Sequence, residues 1–484
     1  MSKKIIYLLS LLMALSLVFA SCKKNGAGDI SGPGPGDNGF DNSPTTDTGL
    51  ADSSDWLEAN SQEPIKNDEI PNFQTTGGVA YFRNPVVVVM GAQKNHVAVF
   101  AEKRYLSSGS ANDIGVDGKT ATDIVCIISK DSGKTWGLPQ IIGRTGAEEA
   151  TADNAVASPV VFKVDDTTVV VVASAGVGLS RANQIYGDRG KTSQLMYTKA
   201  TYNENSGFTW STWKDMTSSI ETEVNNAASG TSLNYKQFAV HSGRGVVNGG
   251  NLFLAVTIAD QGKDGADNEA MGNIIFYASS GNLDTWTKVG DAVKFDTSAS
   301  KKNYSVYKES RVIEATGTSP NNIQYIAVGN PYSNPVHNII GHGSQAGQNA
   351  TDSQIVGSEG SPSYLVVDKW YGSKSYDPTT YSTANNATDG TPAEKQRLFA
   401  HVKSRNSTIT MYGLQEANFA QDGTKSYTVK AYPTDTTTLA KSSSMDVLGD
   451  GTIIMAAEQG GSEKAYKVVF KRFTQKFLAT QLGL

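Results

Sequence analysis

The stretch Ser-Lys-Asp-Ser-Gly-Lys-Thr-Trp at residues 129–136 predicts a tight turn that joins two β-strands. An Asp at the start of such a turn accepts backbone N–H groups, and a Gly supplies the left-handed residue that the reversal requires. The Thr then returns the chain to a strand, and the Trp packs down against the sheet. We therefore interpret this motif as structural.

The motif recurs along the chain. Asn-Glu-Asn-Ser-Gly-Phe-Thr-Trp at residues 203–210 is a second copy, and residues 279–286 retain the final Asp-Thr-Trp of a third. Repeats of a unit that cannot bury its apolar face alone predict closure against neighbouring units. We expect Trp136, Trp210 and Trp286 at equivalent positions of successive units.

Composition predicts short strands joined by many turns. The 484 residues include Gly 48 and Tyr 20, and only 18% are charged. Apolar, mostly branched runs lie between Gly, Asn and Asp clusters, as at residues 86–89, 169–172, 252–256 and 453–457. Such runs predict an all-β sandwich, barrel or propeller and exclude a coiled coil or helical solenoid. The formal net charge of -5 argues against a protein that coats nucleic acid or an anionic membrane.

The N-terminus predicts export. Lys3 and Lys4 precede an apolar run at residues 5–18, and Phe-Ala-Ser leads into Cys22. We interpret residues 1–22 as a lipoprotein-type signal peptide with lipidation of Cys22. This predicts a bacterial lipoprotein on the cell surface or outer membrane, with plain secretion as the alternative.

The rest of the chain divides into a tether and one domain. Residues 23–71 are rich in Gly, Pro, Ser and Asp, which predicts a flexible tether. Residues 72–484 form the predicted β domain, which we expect to be a monomer. Cys126 lies in an apolar run and is predicted to be buried. No Cys or His spacing indicates a metal site, and we expect no cofactor.

The turn motifs resemble the Asp-boxes, or BNR repeats, of the sialidase (neuraminidase) family, and the segments between them follow the family's order. Tyr-Phe-Arg-Asn-Pro at residues 81–85 resembles its Phe-Arg-Ile-Pro signature, with Asn84 in place of Ile. Residues 309–314 resemble the strand that carries the catalytic glutamate, and residues 468–473 resemble the closing strand. The resemblance covers nearly all of residues 73–480 and implies a six-bladed β-propeller.

The resemblance also implies a chemistry. Sialic acid carries a carboxylate on its anomeric carbon, and three arginines hold it because a guanidinium is planar, charged and bidentate. An Asp acts as general acid and base, and a Tyr activated by a Glu attacks the anomeric carbon. The implied substrate-binding residues are Arg83 and Arg405, as the first and third of these arginines, together with Arg104. The implied catalytic residues are Glu309, as the base that activates the Tyr, and Asp113 or Asp117, between which the sequence does not choose.

Two positions depart from the family pattern. The second carboxylate arginine is expected near residues 327–330, which read Ala-Val-Gly-Asn, and the nucleophilic Tyr near residues 441–445, which read Lys-Ser-Ser-Ser-Met. If this segment is a strand, Tyr307 shares a face with Glu309, but the family uses no Tyr there. The main prediction is an exo-α-sialidase that releases terminal sialic acid from glycoconjugates. The alternative is a catalytically impaired propeller that binds sialylated glycans or another surface ligand. A propeller with no carbohydrate role also stays open.

Overall fold

The structure is a computed structural model. It describes residues 68–70, 80–105, 121–144, 151, 154–175, 194–227, 235–260, 271–293, 308–315, 324–329, 336–342, 353–356, 359–367, 396–402, 409–414, 431–433, 442–449, 451–460 and 466–482. Within these ranges the strands pair into six sheets, which we number in chain order. The first strand, β1 (Asp68–Glu69), belongs to the last of them.

The first three sheets contain most of the long strands. Sheet 1 consists of β2 (Ala80–Met90), β3 (His96–Tyr105), β4 (Thr122–Ser129) and β5 (Gln140–Ile141). Sheet 2 consists of β6 (Val156–Lys163), β7 (Thr168–Ala175), β8 (Gln194–Asn203), β9 (Gly207–Trp210), β10 (Lys214–Asp215) and β12 (Gly243–Arg244). Sheet 3 consists of β11 (Tyr235–Ala239), β13 (Val246–Asn248), β14 (Asn251–Asp260), β15 (Met271–Ser279) and β16 (Asn282–Val293).

The other three sheets follow the same plan of successive antiparallel strands. Sheet 4 consists of β17 (Lys308–Ala315), β18 (Gln324–Gly329), β19 (Val336–His342) and β20 (Ser353–Val356). Sheet 5 consists of β21 (Glu359–Val367), β22 (Gln396–Val402), β23 (Ile409–Leu414) and β24 (Ala431–Pro433). Sheet 6 consists of β25 (Ser443–Val447), β26 (Ile453–Gly460), β27 (Tyr466–Phe473) and β1.

The sheets follow one another around a ring. Adjacent sheets contact one another through β2 with β6, β11 with β7, β14 with β17, β17 with β21 and β21 with β25. The ring returns to its start because β25 also contacts β2. The expectation of an all-β, propeller-like fold is therefore confirmed. In sheet 4, side chains are described only for residues 310–315.

The N-terminal strand β1 completes the last sheet. Asp68 and Glu69 pair antiparallel with β27, and the backbone N–H of Ile70 donates to the carbonyl of Val468 at 3.1 Å. Ile70 is fully buried. These residues fall within the segment predicted as a tether, residues 23–71, so the last part of that segment belongs to the folded domain.

The core lies between successive sheets rather than at one centre. Five apolar clusters occupy the interfaces 6/1, 1/2, 2/3, 3/4 and 5/6. Alternate side chains of a strand point to opposite faces, so a β-branched run such as residues 86–89 supplies two clusters at once. Cys126 lies in the cluster between sheets 1 and 2, as the sequence predicted.

Two helices that the sequence analysis did not anticipate pack against the sheets. Helix α1 (Thr217–Ala227) places Ile220 and Val224 in the cluster between sheets 2 and 3. Helix α2 (Gln475–Leu482) places Leu478 in the cluster between sheets 5 and 6. No helix among the described residues is long and apolar enough to cross a membrane.

The turn at residues 129–136 has the predicted geometry. One carboxylate oxygen of Asp131 accepts the backbone N–H of Thr135 at 2.8 Å, and the other accepts the Thr135 hydroxyl at 2.6 Å. Gly133 has φ +88°, in the left-handed region. Its N–H donates to the Ser129 hydroxyl at 2.7 Å. These bonds are local, so the motif forms the turn by itself.

The three motif tryptophans occupy corresponding places. Each follows the turn between the third and fourth strands of its sheet and packs toward the preceding sheet. Trp136 lies edge to face with Phe470 at 5.2 Å between ring centroids, and Trp210 with Phe100 at 5.9 Å. Trp286 is buried in the cluster shared with sheet 2. The repeated turn therefore ties each of sheets 1 to 3 to its neighbour.

Candidate functional site

The site forms around a bulge in β2, the first strand of sheet 1. The register with β3 shifts between Arg83 and Val86, and Asn84 has φ +54°. A residue in this left-handed conformation costs least when it is Gly, Asn or Asp. Pro85 follows, and it has no N–H to leave unpaired at the bulge. The residues of Arg-Asn-Pro therefore tolerate the bulge.

The bulge residues bind a glutamate from the preceding sheet. Glu458 of β26 is fully buried and accepts Arg83 Nε at Oε1 (2.7 Å) and Arg83 Nη2 at Oε2 (3.3 Å). It also accepts the backbone N–H groups of Asn84 (2.7 Å) and Ser442 (3.1 Å). Burial alone raises the pKa of Glu458. Arg83 and the two N–H groups outweigh it and hold the pKa below its usual value.

A second buried glutamate repeats this arrangement one sheet further on. Glu102 of β3 accepts Arg104 Nε at 2.6 Å, and it accepts the backbone N–H of Ser158 at 2.7 Å. Ser158 lies in β6 just before Pro159, has φ +57° and sits in a register shift of its own. In both places, a buried glutamate of one sheet accepts the backbone N–H of the residue before a proline in a bulge of the next sheet. These contacts join sheet 6 to sheet 1 and sheet 1 to sheet 2.

Arg83 and Arg104, both predicted to bind substrate, lie at the same end of sheet 1. Tyr81 pairs with Arg104 in the β2/β3 register, two positions before Arg83. The side chains of Arg83 and Arg104 are 12% and 13% exposed, while their two glutamates are fully buried. Each side chain is therefore mostly buried but partly exposed, and its glutamate fixes its orientation.

A third arginine joins this end of the sheet. Arg144 pairs with the buried carboxylate of Asp123, and its Nη2 donates to the carbonyl of Asn154 at 2.6 Å. The hydroxyl of Tyr105 donates to the other oxygen of Asp123 at 2.9 Å. The sequence analysis missed Arg144, which lies outside every motif that it used.

The other predicted residues are not all described. Glu309 is the second residue of β17, where the family resemblance places it, but its side chain is outside the described part. Asp113, Asp117, Arg405 and Cys22 also lie outside the described residues. The segment with both aspartates joins β3 to β4, and its base is closed by Tyr105 N donating to the carbonyl of Ala121 at 3.1 Å. It therefore starts and ends at the sheet end that holds Arg83 and Arg104.

The two departures from the family pattern correspond to defined strands. β18, where the second carboxylate arginine is expected, reads Gln-Tyr-Ile-Ala-Val-Gly. The residues in place of the expected Tyr are three buried serines at the start of β25. Ser443 hydrogen-bonds the hydroxyl of Ser363 at 2.9 Å, and the Ser444 hydroxyl accepts Val87 N at 3.1 Å. These short side chains join sheets 5, 6 and 1.

A tyrosine-glutamate pair does occur, but on a different glutamate. The hydroxyl of Tyr364 donates to Glu314 Oε2 at 2.7 Å, and Arg397 binds both Glu314 oxygens through Nε (2.9 Å) and Nη2 (2.8 Å). Burial, and then the Glu314 charge, raises the pKa of Tyr364 well above its usual value. This phenol therefore keeps its proton near neutral pH. Glu314 follows Glu309 by five strand positions, about 16 Å.

The described residues hold no candidate metal site. Within the ranges given above, no three or more His, Cys, Asp or Glu side chains come together to hold a metal ion. The chemistry available at the described sheet end is that of guanidinium groups oriented by buried carboxylates. Such groups recognise anions such as a carboxylate.

Comparison with known proteins finds similar folds but no sequence family. No family model and no curated protein matches the chain. The Hadza microbial sialidase Hz136 has 16% identity and a TM-score of 0.53 over 82% of this chain and 66% of its own.

Two further solved structures are similar to this chain in fold. A mutant of Trypanosoma rangeli sialidase displaying trans-sialidase activity has 16% identity and a TM-score of 0.53, over 86% of this chain and 58% of its own. The NanB sialidase from Streptococcus pneumoniae has 10% identity and a TM-score of 0.52, over 85% of this chain and 71% of its own. At these identities the likeness shows a sialidase-like fold, and the chain spans less than two thirds of the first two proteins.

Proposed function

We propose that the chain is a sialidase-like propeller of six blades whose site takes the terminal sialic acid of glycoconjugates, and that it acts as an exo-α-sialidase. The observation that carries this proposal is the pairing of Arg83 with Glu458. A fully buried carboxylate holds the guanidinium through Nε and Nη2. One of the solved structures that share the fold is a Trypanosoma rangeli sialidase in complex with sialic acid.

The described geometry suits the first step, recognition of a carboxylate. Because Glu458 fixes the Arg83 plane, little side-chain entropy is lost when this partly exposed side chain meets an anionic ligand. Arg104 stands at the same sheet end and is fixed in the same way by Glu102. In this proposal Arg405 is a further carboxylate ligand.

The later steps rest on the family resemblance. Protonation of the leaving group falls to Asp113 or Asp117, in the segment that begins beside Arg104. Glu309 in β17 is the proposed base. This role for Glu309 requires a nucleophile from a part of the chain outside the described residues, because β25 offers serines where the resemblance expects a Tyr. Proposed partners are sialylated glycans or glycoproteins, bound by a monomer that an N-terminal lipid at Cys22 anchors to the cell surface.

A second candidate function is binding of sialylated glycans without turnover. The observation that favours it is the row of buried serines at the start of β25, where short side chains hold the sheets together. The described Tyr364 does not replace the expected Tyr, because it is bound to Glu314 and keeps its proton. In this case Arg83 still binds the carboxylate of sialic acid, but no nucleophile is present to attack the anomeric carbon.

Substitution of Arg83 tests both candidates. Arg83→Ala removes a charge-assisted contact, so sialoside affinity falls about tenfold to hundredfold. Arg83→Lys does not restore the affinity, because an ammonium group keeps the charge but lacks the planar pair of N–H donors of a guanidinium. The matched control is Arg397→Ala, which removes an arginine that is 9% exposed and also bidentate to a glutamate, in sheet 5.

The readouts are hydrolysis of a fluorogenic sialoside and binding to a sialylated glycan array. An exo-sialidase loses hydrolysis on Arg83→Ala, whereas a binding protein shows no hydrolysis and loses glycan binding. Arg397→Ala keeps the wild-type behaviour in either case. If wild type neither binds nor hydrolyses sialosides, or if Arg83→Ala changes nothing, the proposed function is wrong.

A further inference from the structure

Asn84 makes three hydrogen bonds to three different residues of the site. Its backbone N–H donates to Glu458 Oε1 at 2.7 Å, its Nδ2 donates to Glu102 Oε1 at 2.9 Å, and its Oδ1 accepts the Ser442 hydroxyl at 2.9 Å. The orientation of the amide follows from chemistry, because a carboxylate only accepts and must face the NH₂ group. Asn84 thus touches both buried glutamates of the site.

Each of the two glutamates is contacted by four nitrogen atoms. Glu458 accepts four N–H groups: two from Arg83 and one each from the backbones of Asn84 and Ser442. Glu102 is approached by two Arg104 nitrogens, by Ser158 N and by Asn84 Nδ2. An ionised carboxylate has about four acceptor positions, so each glutamate is saturated.

Saturation makes these contacts interdependent. A buried carboxylate that loses one donor must re-pair with another or stay partly desolvated, which costs free energy. A shift of Arg83 therefore changes the hydrogen bonding of Glu458, and with it the bond that Asn84 N donates to Glu458. Because Asn84 Nδ2 donates to Glu102, a movement of Asn84 also changes the hydrogen bonding of Glu102 and of its partner Arg104.

We propose that Asn84 is a positioning residue that couples Arg83 to Arg104 through Glu458 and Glu102, so that the two guanidinium groups meet an anionic ligand as one unit. The proposal deepens the proposed function and rests on it for the identity of the ligand. The coupling itself depends only on the described contacts. An Ile at this position, as in the family signature, could accept the φ only with strain and could not bind Glu102.

Ser158 provides a matched control. It has the same left-handed conformation, the same place before a proline and the same backbone bond to a buried glutamate. Its hydroxyl makes no hydrogen bond to another described residue, whereas the Asn84 amide bridges Glu102 and Ser442. Asn84→Gly and Ser158→Gly both keep the backbone bond and relieve the positive φ, so both variants should fold.

The first experiment measures binding of the methyl α-glycoside of N-acetylneuraminic acid by calorimetry. Asn84→Gly is expected to weaken binding about tenfold, because the guanidinium groups lose their fixed relation. Ser158→Gly is expected to stay within about twofold of wild type. In a double-mutant cycle, Arg83→Lys and Arg104→Lys are non-additive in the wild-type background and additive in the Asn84→Gly background.

The second experiment needs no ligand. The side-chain Nε–H signals of Arg83 and Arg104 are followed by ¹H–¹⁵N NMR and assigned by their loss in the two Lys variants. Coupling predicts that Arg83→Lys moves the Arg104 signal, and that Asn84→Gly abolishes this response while Ser158→Gly preserves it. A purely structural role for Asn84 would not produce that pattern.

The outcomes separate the two proposals. If the free protein shows the coupled NMR response but binds no sialoside, the proposed function fails and the coupling stands. If wild type binds the sialoside through Arg83 but Asn84→Gly leaves affinity and the Arg104 response unchanged, the coupling is overturned and the function stands.

Discussion

Asp446 of β25 forms an ion pair with Arg244 of β12, with 2.7 Å between Oδ1 and Nη1. Its other oxygen accepts the backbone N–H of Val89 in β2 at 2.7 Å. One carboxylate therefore joins sheets 6, 2 and 1, which contact one another through these strands. Two of these strands, β25 and β2, are the first strands of their sheets, as are β2 and β6, which contain the bulges of the candidate site.

Asp446→Ala should lower the free energy of unfolding by about 3 kcal/mol, since it leaves the buried Val89 N–H and the Arg244 charge without this partner. Arg244→Met should lower it by only about 1 kcal/mol, because the Arg244 side chain is 27% exposed and water screens the pair. Urea denaturation of the two variants and wild type measures both values. Equal losses would contradict the assigned role of Asp446.

Glu458 should make stability depend on pH in the acid range. Burial raises its pKa, but Arg83 and backbone N–H groups bring it below the usual value. The native state therefore binds fewer protons than the unfolded chain. The stability from this group is present above about pH 4.3, the unfolded pKa, and is lost as pH falls through the folded pKa.

Glu458→Gln should therefore destabilise the protein at pH 7 by about 3 kcal/mol, and the difference from wild type should narrow below about pH 4. Urea midpoints from pH 7 to pH 3 measure this difference. Asp446→Asn controls for the general loss of an ion pair. A constant difference across the whole pH range would show that folding does not change the pKa of Glu458.

The turn at residues 129–136 should tolerate no side chain at Gly133. A Cβ there would lie 2.2 Å from Cε1 of Phe470, and the φ of +88° disfavours any L-residue. Gly133→Ala should cost about 3 kcal/mol, from overpacking and backbone strain together. Gly250→Ala has a similar φ, +78°, but open space around the Cβ, so it should cost about 1 kcal/mol. Thermal unfolding of the pair separates packing from strain, and equal losses would refute the packing part.

The proposed lipid anchor depends on Cys22. Cys22→Ala should move the protein from the membrane fraction to the soluble fraction and remove the lipid mass from the N-terminal peptide. The control is Cys126→Ala, because Cys126 is the other cysteine in the sequence and is buried between sheets 1 and 2. Unchanged fractionation of Cys22→Ala, with no lipid found by mass spectrometry, would exclude the anchor.

Local interactions explain what the sequence predicted well. The bonds between Asp131 and Thr135 span four positions, so the motif specifies its turn without help from the rest of the chain. Branched apolar runs predict strands for a similar reason, since residues two apart share a face. Asn84 tolerates the left-handed conformation, but the sequence analysis did not predict the bulge. The all-β class and the repeated turns were accessible from the sequence for these reasons.

Elements stabilised only by distant partners escaped the sequence analysis. β1 is too short and polar to be predicted as a strand, and it is ordered by pairing with β27 at the other end of the domain. Helices α1 and α2 depend on apolar side chains that pack against sheets formed elsewhere. Tyr364, Glu314 and Arg397 meet across sheets 4 and 5, and no spacing links them.

By itself, the sequence determined the β class and the repeated turns, and it singled out Arg83 through the family resemblance. Only the tertiary structure decided what surrounds that arginine. Glu458, which orients Arg83, comes 375 positions later, and the amide of Asn84 reaches Glu102 on the adjacent strand β3. The physical reason is that a turn such as residues 129–136 is stabilised by bonds within a few residues. A buried carboxylate, in contrast, is stable only when closure of the ring brings its donors together.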